Sequence, residues 1–111
     1  MHLPDADRVL VEHAKVTDYL LSFDHPVGHH KARFFVALGF EVARPHELTD
    51  ALRDVGRNGT VTSRVETQFG EKYIVDGTMT SPIGRTARVR TVWMVLADQG
   101  APRFVTVFPL G

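Results

Sequence analysis

Three histidines stand close together in the segment HPVGHHKARFFVALGF, which runs from His25 to Phe40 and carries Lys31 and Arg33 directly after them. Imidazole is the commonest zinc ligand, and near neutral pH it also gives or takes a proton. His25 and His29 are four residues apart, which suits two ligands on one helix. Pro26 and Gly28 interrupt such a helix, and the chain has no H-E-x-x-H signature or carboxylate-rich loop. No metal and no cofactor is therefore expected. A catalytic reading keeps His25, His29 and Lys31 as acid–base groups or helpers on a loop. A structural reading makes His-Pro-x-Gly a tight loop, with a polar residue near His29 capping a helix whose solvent side carries Lys31 and Arg33. His2, His13 and His46 are isolated and are expected at the surface.

A second set of chemical groups depends on strand alternation, because successive side chains of a strand point to opposite faces. In RTARVRTVWMVLA, Ala87, Val89, Thr91, Trp93 and Val95 share one face; Arg88, Arg90, Val92 and Met94 share the other. The same rule puts Tyr73 and Val75 opposite Lys72, Ile74 and Asp76. It also puts Val61 and Val65 opposite Arg64 and Glu66. If helices cover the Val/Trp/Tyr face, the open face carries Arg64, Glu66, Lys72, Arg88 and Arg90. That is a basic patch around one carboxylate. Guanidinium forks match phosphate oxygens, with Arg64 and Lys72 as binding groups. Glu66 among arginines is a candidate general base, with Arg88 and Arg90 to neutralise a phosphorane, as RNA cleavage requires. The plain alternative is a solvated face with cross-strand ion pairs.

The totals narrow the classes. A chain of 111 residues that is 43% hydrophobic and 23% charged fits one domain able to bury its own core. With no cysteine there is no thiol nucleophile, disulfide framework or cysteine-based zinc site. Formal net charge is zero, so any steering of a partner must be local. The start, MHLPDADRVL, lacks a signal peptide's basic and apolar regions, and no run is long enough to span a membrane. The expectation is a cytoplasmic protein with no membrane partner.

The elements that position these groups divide near Gly59, with a helical half over 1–58 and a β-meander over 59–109. RVLV, after the first few residues, reads as an extended edge segment. Lys15–Ser22 reads as a short amphipathic helix through Val16, Tyr19 and Leu20. Phe34, Phe35, Val36 and Leu38 mark a second helix, ended by Gly39 with Phe40 beyond it in the Schellman pattern. Pro45 opens a third, with Leu48, Leu52 and Val55 at helical spacing and Gly56 or Gly59 as its stop. Four strands follow: Thr60–Phe69, Glu71–Thr80, Arg85–Ala97 and Arg103–Phe108. They turn at Gly70, at SPIG and at DQGAP. The fold class is α+β: two to three N-terminal helices packed on one face of a four-stranded antiparallel meander. Trp93, Tyr19 and Tyr73 are expected in the core.

The segments YLLSFDHPVGHHKARFFVALGF, GEKYIVDGTMTSPIGRTARVRTVWMV and PRFVTVFP together resemble the bacterial domain-of-unknown-function family 6883. Its members carry a similar YLL…HP.G..KA.FF..LGF segment, then G.KY.V.G….P.GR…V.TVW and an ending P.-.VT.YP. The likeness spans nearly the whole chain, in the same order. Phe108 stands where the usual ending has tyrosine, so no role for that hydroxyl carries over. The resemblance implies a small stand-alone domain or the end of a toxin-like or phage-related protein. The order of helices and then a meander is also similar to barnase/RelE-like ribonucleases. Here no histidine follows His46, so His25, His29 or Lys31 would have to act from the helical half.

Two readings follow. One is a metal-independent ribonuclease or toxin-like RNA-binding domain, with Glu66, Arg88, Arg90, His25, His29 and Lys31 as catalytic candidates. Its partners would be RNA and a small antitoxin-like protein. The other is a non-catalytic binding module that meets a protein partner or a second copy through the sheet face or edge.

Overall fold

The computed structural model describes residues 1–97 and 100–110. The expected DQGAP turn therefore lies partly outside the described residues, at Asp98 and Gln99. A 3-10 turn, Ala6–Arg8, precedes α1 (His13–Lys15), α2 (Gly28–Leu38) and α3 (Pro45–Asn58). Strands β1 (Thr60–Thr67), β2 (Gly70–Thr80), β3 (Thr86–Leu96) and β4 (Arg103–Pro109) then form one antiparallel sheet in the order β1-β2-β3-β4. This is the α+β meander that the patterning predicts. No helix among the described residues is long and apolar enough to cross a membrane.

The expected first helix differs in form. α1 is a single turn that widens into a π-helical turn over Val16–Leu20, closed by the Leu21 N–H donating to the Val16 carbonyl at 2.9 Å. The wider turn buries Val16, Leu20 and Leu21 together. α2 ends as its sequence predicts. Gly39 sits at φ 125°, and the Phe40 N–H donates to the Phe35 carbonyl at 2.9 Å, the long bond of a Schellman cap. Val36 departs from the expected apolar face and is exposed, while Ala32, Phe35 and Leu38 take the buried stripe.

The core lies between α3 and the inner face of β2 and β3. Trp93 is fully buried. Gly56 of α3 lies so close that a Cβ there would stand 2.7 Å from the indole ring. Phe104 meets the same ring edge-on at 5.5 Å between centroids. The indole N–H donates to the Thr91 hydroxyl at 2.7 Å, and that hydroxyl donates to the Val75 carbonyl at 2.8 Å. Thr91 is the polar residue the core requires, because a buried indole N–H must be paired.

Two bulges break simple alternation. Val61 pairs with Val75 but Ser63 pairs with Ile74, so Thr62 is an extra residue in β1. Val92 pairs with Thr106 but Trp93 pairs with Phe104, so Val105 is extra in β4. Each bulge reverses the faces of the residues beyond it.

Replacing Thr91 by valine removes the acceptor of the buried indole N–H while keeping the shape. Urea denaturation of Thr91→Val is expected to show a loss of about 1–3 kcal/mol. An unchanged midpoint would contradict the role given to this hydroxyl.

Candidate functional site

The chemistry-bearing residues gather where the helical half meets the outer edge of β4. The loop before α2 is built by His25. Its Nδ1 accepts from the Val27 and Gly28 backbone N–H groups at 3.0 and 2.9 Å, so the ring proton sits on Nε2. Gly28 is needed because a Cβ there would stand 2.1 Å from the Tyr19 carbonyl oxygen. That close approach sets Tyr19 and His25 edge to face, with ring centroids 5.0 Å apart. His29 is turned back into the loop: its Nδ1 donates to the His25 carbonyl at 2.9 Å. His30 lies tilted against the His29 ring, with centroids 3.9 Å apart, and is exposed. Among the described residues, no three side chains of metal-ligating type converge.

Both lysines of this region reach the edge strand. Lys15 Nζ donates to the Val105 carbonyl at 3.3 Å, and Lys31 Nζ donates to the Val107 carbonyl at 2.6 Å. Lys31 Nζ also lies 4.2 Å from the centre of the Phe108 ring, a cation–π distance. The Tyr19 hydroxyl is 3.2 Å from the Thr106 hydroxyl. These groups line a groove of about 560 Å³, walled by Lys15, Tyr19, His25, Lys31, Thr106 and Phe108. A space of that size suits a small ligand or one unit of a polymer.

From Phe108, at the groove, a row of residues runs across the outer face of the sheet. Register pairs Phe108 with Arg90, Arg90 with Asp76 and Asp76 with Thr60, so one row crosses all four strands. Neighbouring strands lie about 4.8 Å apart. Arg90 grips Asp76 through both nitrogens of its fork, at 2.8 and 2.9 Å. Hydrogen bonding from Arg90 is the main reason the Asp76 carboxyl titrates below its usual range; partial burial opposes it and the Arg88 charge adds to it. Arg88 lies opposite Thr78 on this face and is exposed. Lys72 shares the face but lies four residues from Asp76 along β2, roughly 13 Å away.

Arg64 and Glu66 are not in this patch. The bulge at Thr62 puts them opposite Tyr73 and Glu71, on the face that carries Trp93. There Arg64 forks onto Glu71, with Nη2 at 2.8 Å from Oε1, and the Tyr73 hydroxyl donates to Glu71 Oε2 at 2.8 Å. The hydrogen bond from Arg64, then that from Tyr73, holds the Glu71 carboxyl low. Thus the expected trio of Glu66, Arg88 and Arg90 does not assemble, and the carboxylate beside Arg90 is Asp76. Counting outward from the SPIG turn, four residues back from Thr80 and four on from Thr86, would have found that pair. Tyr19, Lys15, Thr106 and Phe108 had no such signal, since their meeting depends on how the helical half packs.

The chain belongs to the domain-of-unknown-function family DUF6883, whose model matches residues 2–111. No curated protein matches its sequence. Among solved structures it is similar to a chain of a contact-dependent growth inhibition toxin–immunity protein complex from Klebsiella pneumoniae 342. The TM-score is 0.65 at 22% identity, covering 96% of this chain and 97% of that one. At that identity the likeness is one of fold.

The Asp76–Arg90 pair gives a signed pH dependence. A carboxyl held low in the folded state stabilises above its unfolded pKa and loses that contribution as pH falls through its folded value. The stability gap between the native chain and Asp76→Asn is expected to be about 1 kcal/mol or less at neutral pH, given the exposure of Arg90. Urea titrations across acidic pH should show the gap closing. A gap constant down to the acid limit would contradict the pairing.

Proposed function

We propose that this chain is a toxin-type domain that binds single-stranded RNA along the row from Asp76 to Lys31 and cleaves it without metal. The observation that carries the reading is the junction at Phe108. That exposed ring has Arg90 as its cross-strand partner on one side and the Lys31 ammonium over its face on the other. Single-stranded nucleic acid is held by an aromatic platform for bases beside cations for the backbone, and Phe108 with Arg88, Arg90 and Lys31 has that composition. Loose fold-level support comes from the similarity to a chain of a toxin–immunity protein complex.

In this reading the 2′-oxygen displaces the 5′-oxygen at phosphorus, leaving a cyclic phosphate and a free 5′-hydroxyl. Asp76, the carboxylate of the row, takes the 2′ proton and loosens its hold on Arg90 as it does so, and the Lys31 ammonium supplies one to the leaving oxygen. Arg90 and Arg88 offset the charge that grows on the phosphorane. His25 donates from Nε2 to a phosphate oxygen in the groove. Glu66 has no part.

RNA incubated with the purified chain in excess chelator is expected to yield cyclic-phosphate ends. Arg90→Ala and Lys31→Met should each slow cleavage by about a hundredfold or more. Phe108→Ala should weaken RNA binding by about 1–3 kcal/mol. RNA left intact both with and without divalent ions would overturn the proposal.

A second reading, a non-catalytic module for a protein partner, is favoured by the exposed apolar side chains of Val27 and Phe108 at the groove. It requires that Arg88→Ala with Arg90→Ala abolish capture of that partner while the fold survives.

A further inference from the structure

The two edges of the sheet are treated differently. On β4, the Leu10 backbone exchanges hydrogen bonds with Pro102 and Phe104 at 2.8 Å each, and Lys15 and Lys31 take the carbonyls of Val105 and Val107. On β1, the Val61 N–H donates to the Met1 carbonyl at 2.9 Å, and every residue from Thr62 to Phe69 is exposed. An exposed strand edge is a template for another strand.

We infer that this edge seats a second copy of the chain, paired antiparallel about a two-fold axis at Val65. That register sets Arg64 against Glu66, Ser63 against Thr67 and Val65 against itself. Charges at an edge strand commonly ward off pairing, and here they select one register. An axis at Arg64 would oppose two arginines, and an axis at Glu66 would oppose two glutamates. The axis at Val65 alone among these three makes two opposite-charge pairs.

The isolated chain gives a further reason. Glu66 stands directly opposite Glu71 on β2, a like-charge pair, while Arg64 is forked onto Glu71. Like charges placed directly across a sheet are destabilising. In the paired sheet, Glu66 gains the Arg64 guanidinium of the second copy on its other side. Val65, nearly half exposed, is covered by its own counterpart on the opposite face. The result is a continuous eight-stranded sheet with one groove at each far edge. Five residues a side make a small contact, so the dimer is reversible and dilution separates it.

Sedimentation equilibrium tests this, with cross-linking as a check of register. The native chain is expected to show a monomer–dimer equilibrium. Glu66→Arg should weaken the dimer by about tenfold or more while giving Glu71 a cationic neighbour within the monomer. Mixing Glu66→Arg with Arg64→Glu should restore association, because each then opposes the other's charges. The chain has no cysteine, so Val65→Cys should close a disulfide across the axis on mild oxidation far faster than Ser63→Cys. A native chain that stays monomeric to its solubility limit overturns the inference. So does a Glu66→Arg dimer of native strength, or equal cross-linking at 63 and 65. The RNA assay is separate, since β1 and β4 are opposite edges and Glu66→Arg leaves the groove untouched.

Discussion

The outer edge of β4 has carbonyl groups that no strand pairs, and much of the molecule is arranged to satisfy them. A backbone acceptor shielded from water without a partner costs stability comparable to a lost hydrogen bond. The N-terminal half supplies the partners in series: the backbone of Leu10, then Lys15, then Lys31. To deliver Lys31, α2 must begin close to the π-helical turn, which is why Gly28 lies against the Tyr19 carbonyl and why His25 caps the turn between them. The groove is a by-product of this edge closure, since the groups that close it also wall it.

β3 is the axis of the sheet, and its two faces serve different ends. Its inner face holds Trp93, pressed against Gly56 and tied through Thr91 to Val75. Its outer face holds Arg90 between Asp76 and Phe108. Packing demands on one face therefore fix the register that composes the row on the other. A one-residue slip of β3 would bury an arginine and expose the indole together. The Asp76 side chain is largely covered and ion-paired, so the row is a preorganised arrangement with a neutral centre and cationic flanks at Arg88 and Lys31.

The open β1 edge contrasts with this closure. Its strand contributes little to the core, since only Val61 is even partly covered. That freedom lets a bulge at Thr62 reverse the faces of Arg64 and Glu66 at small cost. It explains why strand alternation misplaced these two residues and not Lys72, Arg88 or Arg90. On β2 and β3, buried residues such as Val75, Val89 and Trp93 announce which face is inner; on β1 no such pattern exists to contradict a false register.

The sequence by itself determined the class of fold, the three helical segments, the meander, the Schellman end of α2 and the family. These rest on local periodicity, on glycine and proline at turns, and on contiguous segments, all of which a linear chain displays. It also determined that Arg88 and Arg90 share a face, because two residues of one unbulged strand must. Only the tertiary structure decided that Asp76 and not Glu66 meets Arg90, and that Lys31 reaches Phe108 across a groove that His25 also lines while His29 turns away. It alone decided that Arg64 and Glu66 stand at an open edge. Those outcomes depend on cross-strand register, on two bulges and on how the helices dock. Such relations lie between residues far apart in the chain, where the energy of packing and of satisfied backbone groups chooses among local patterns that look alike.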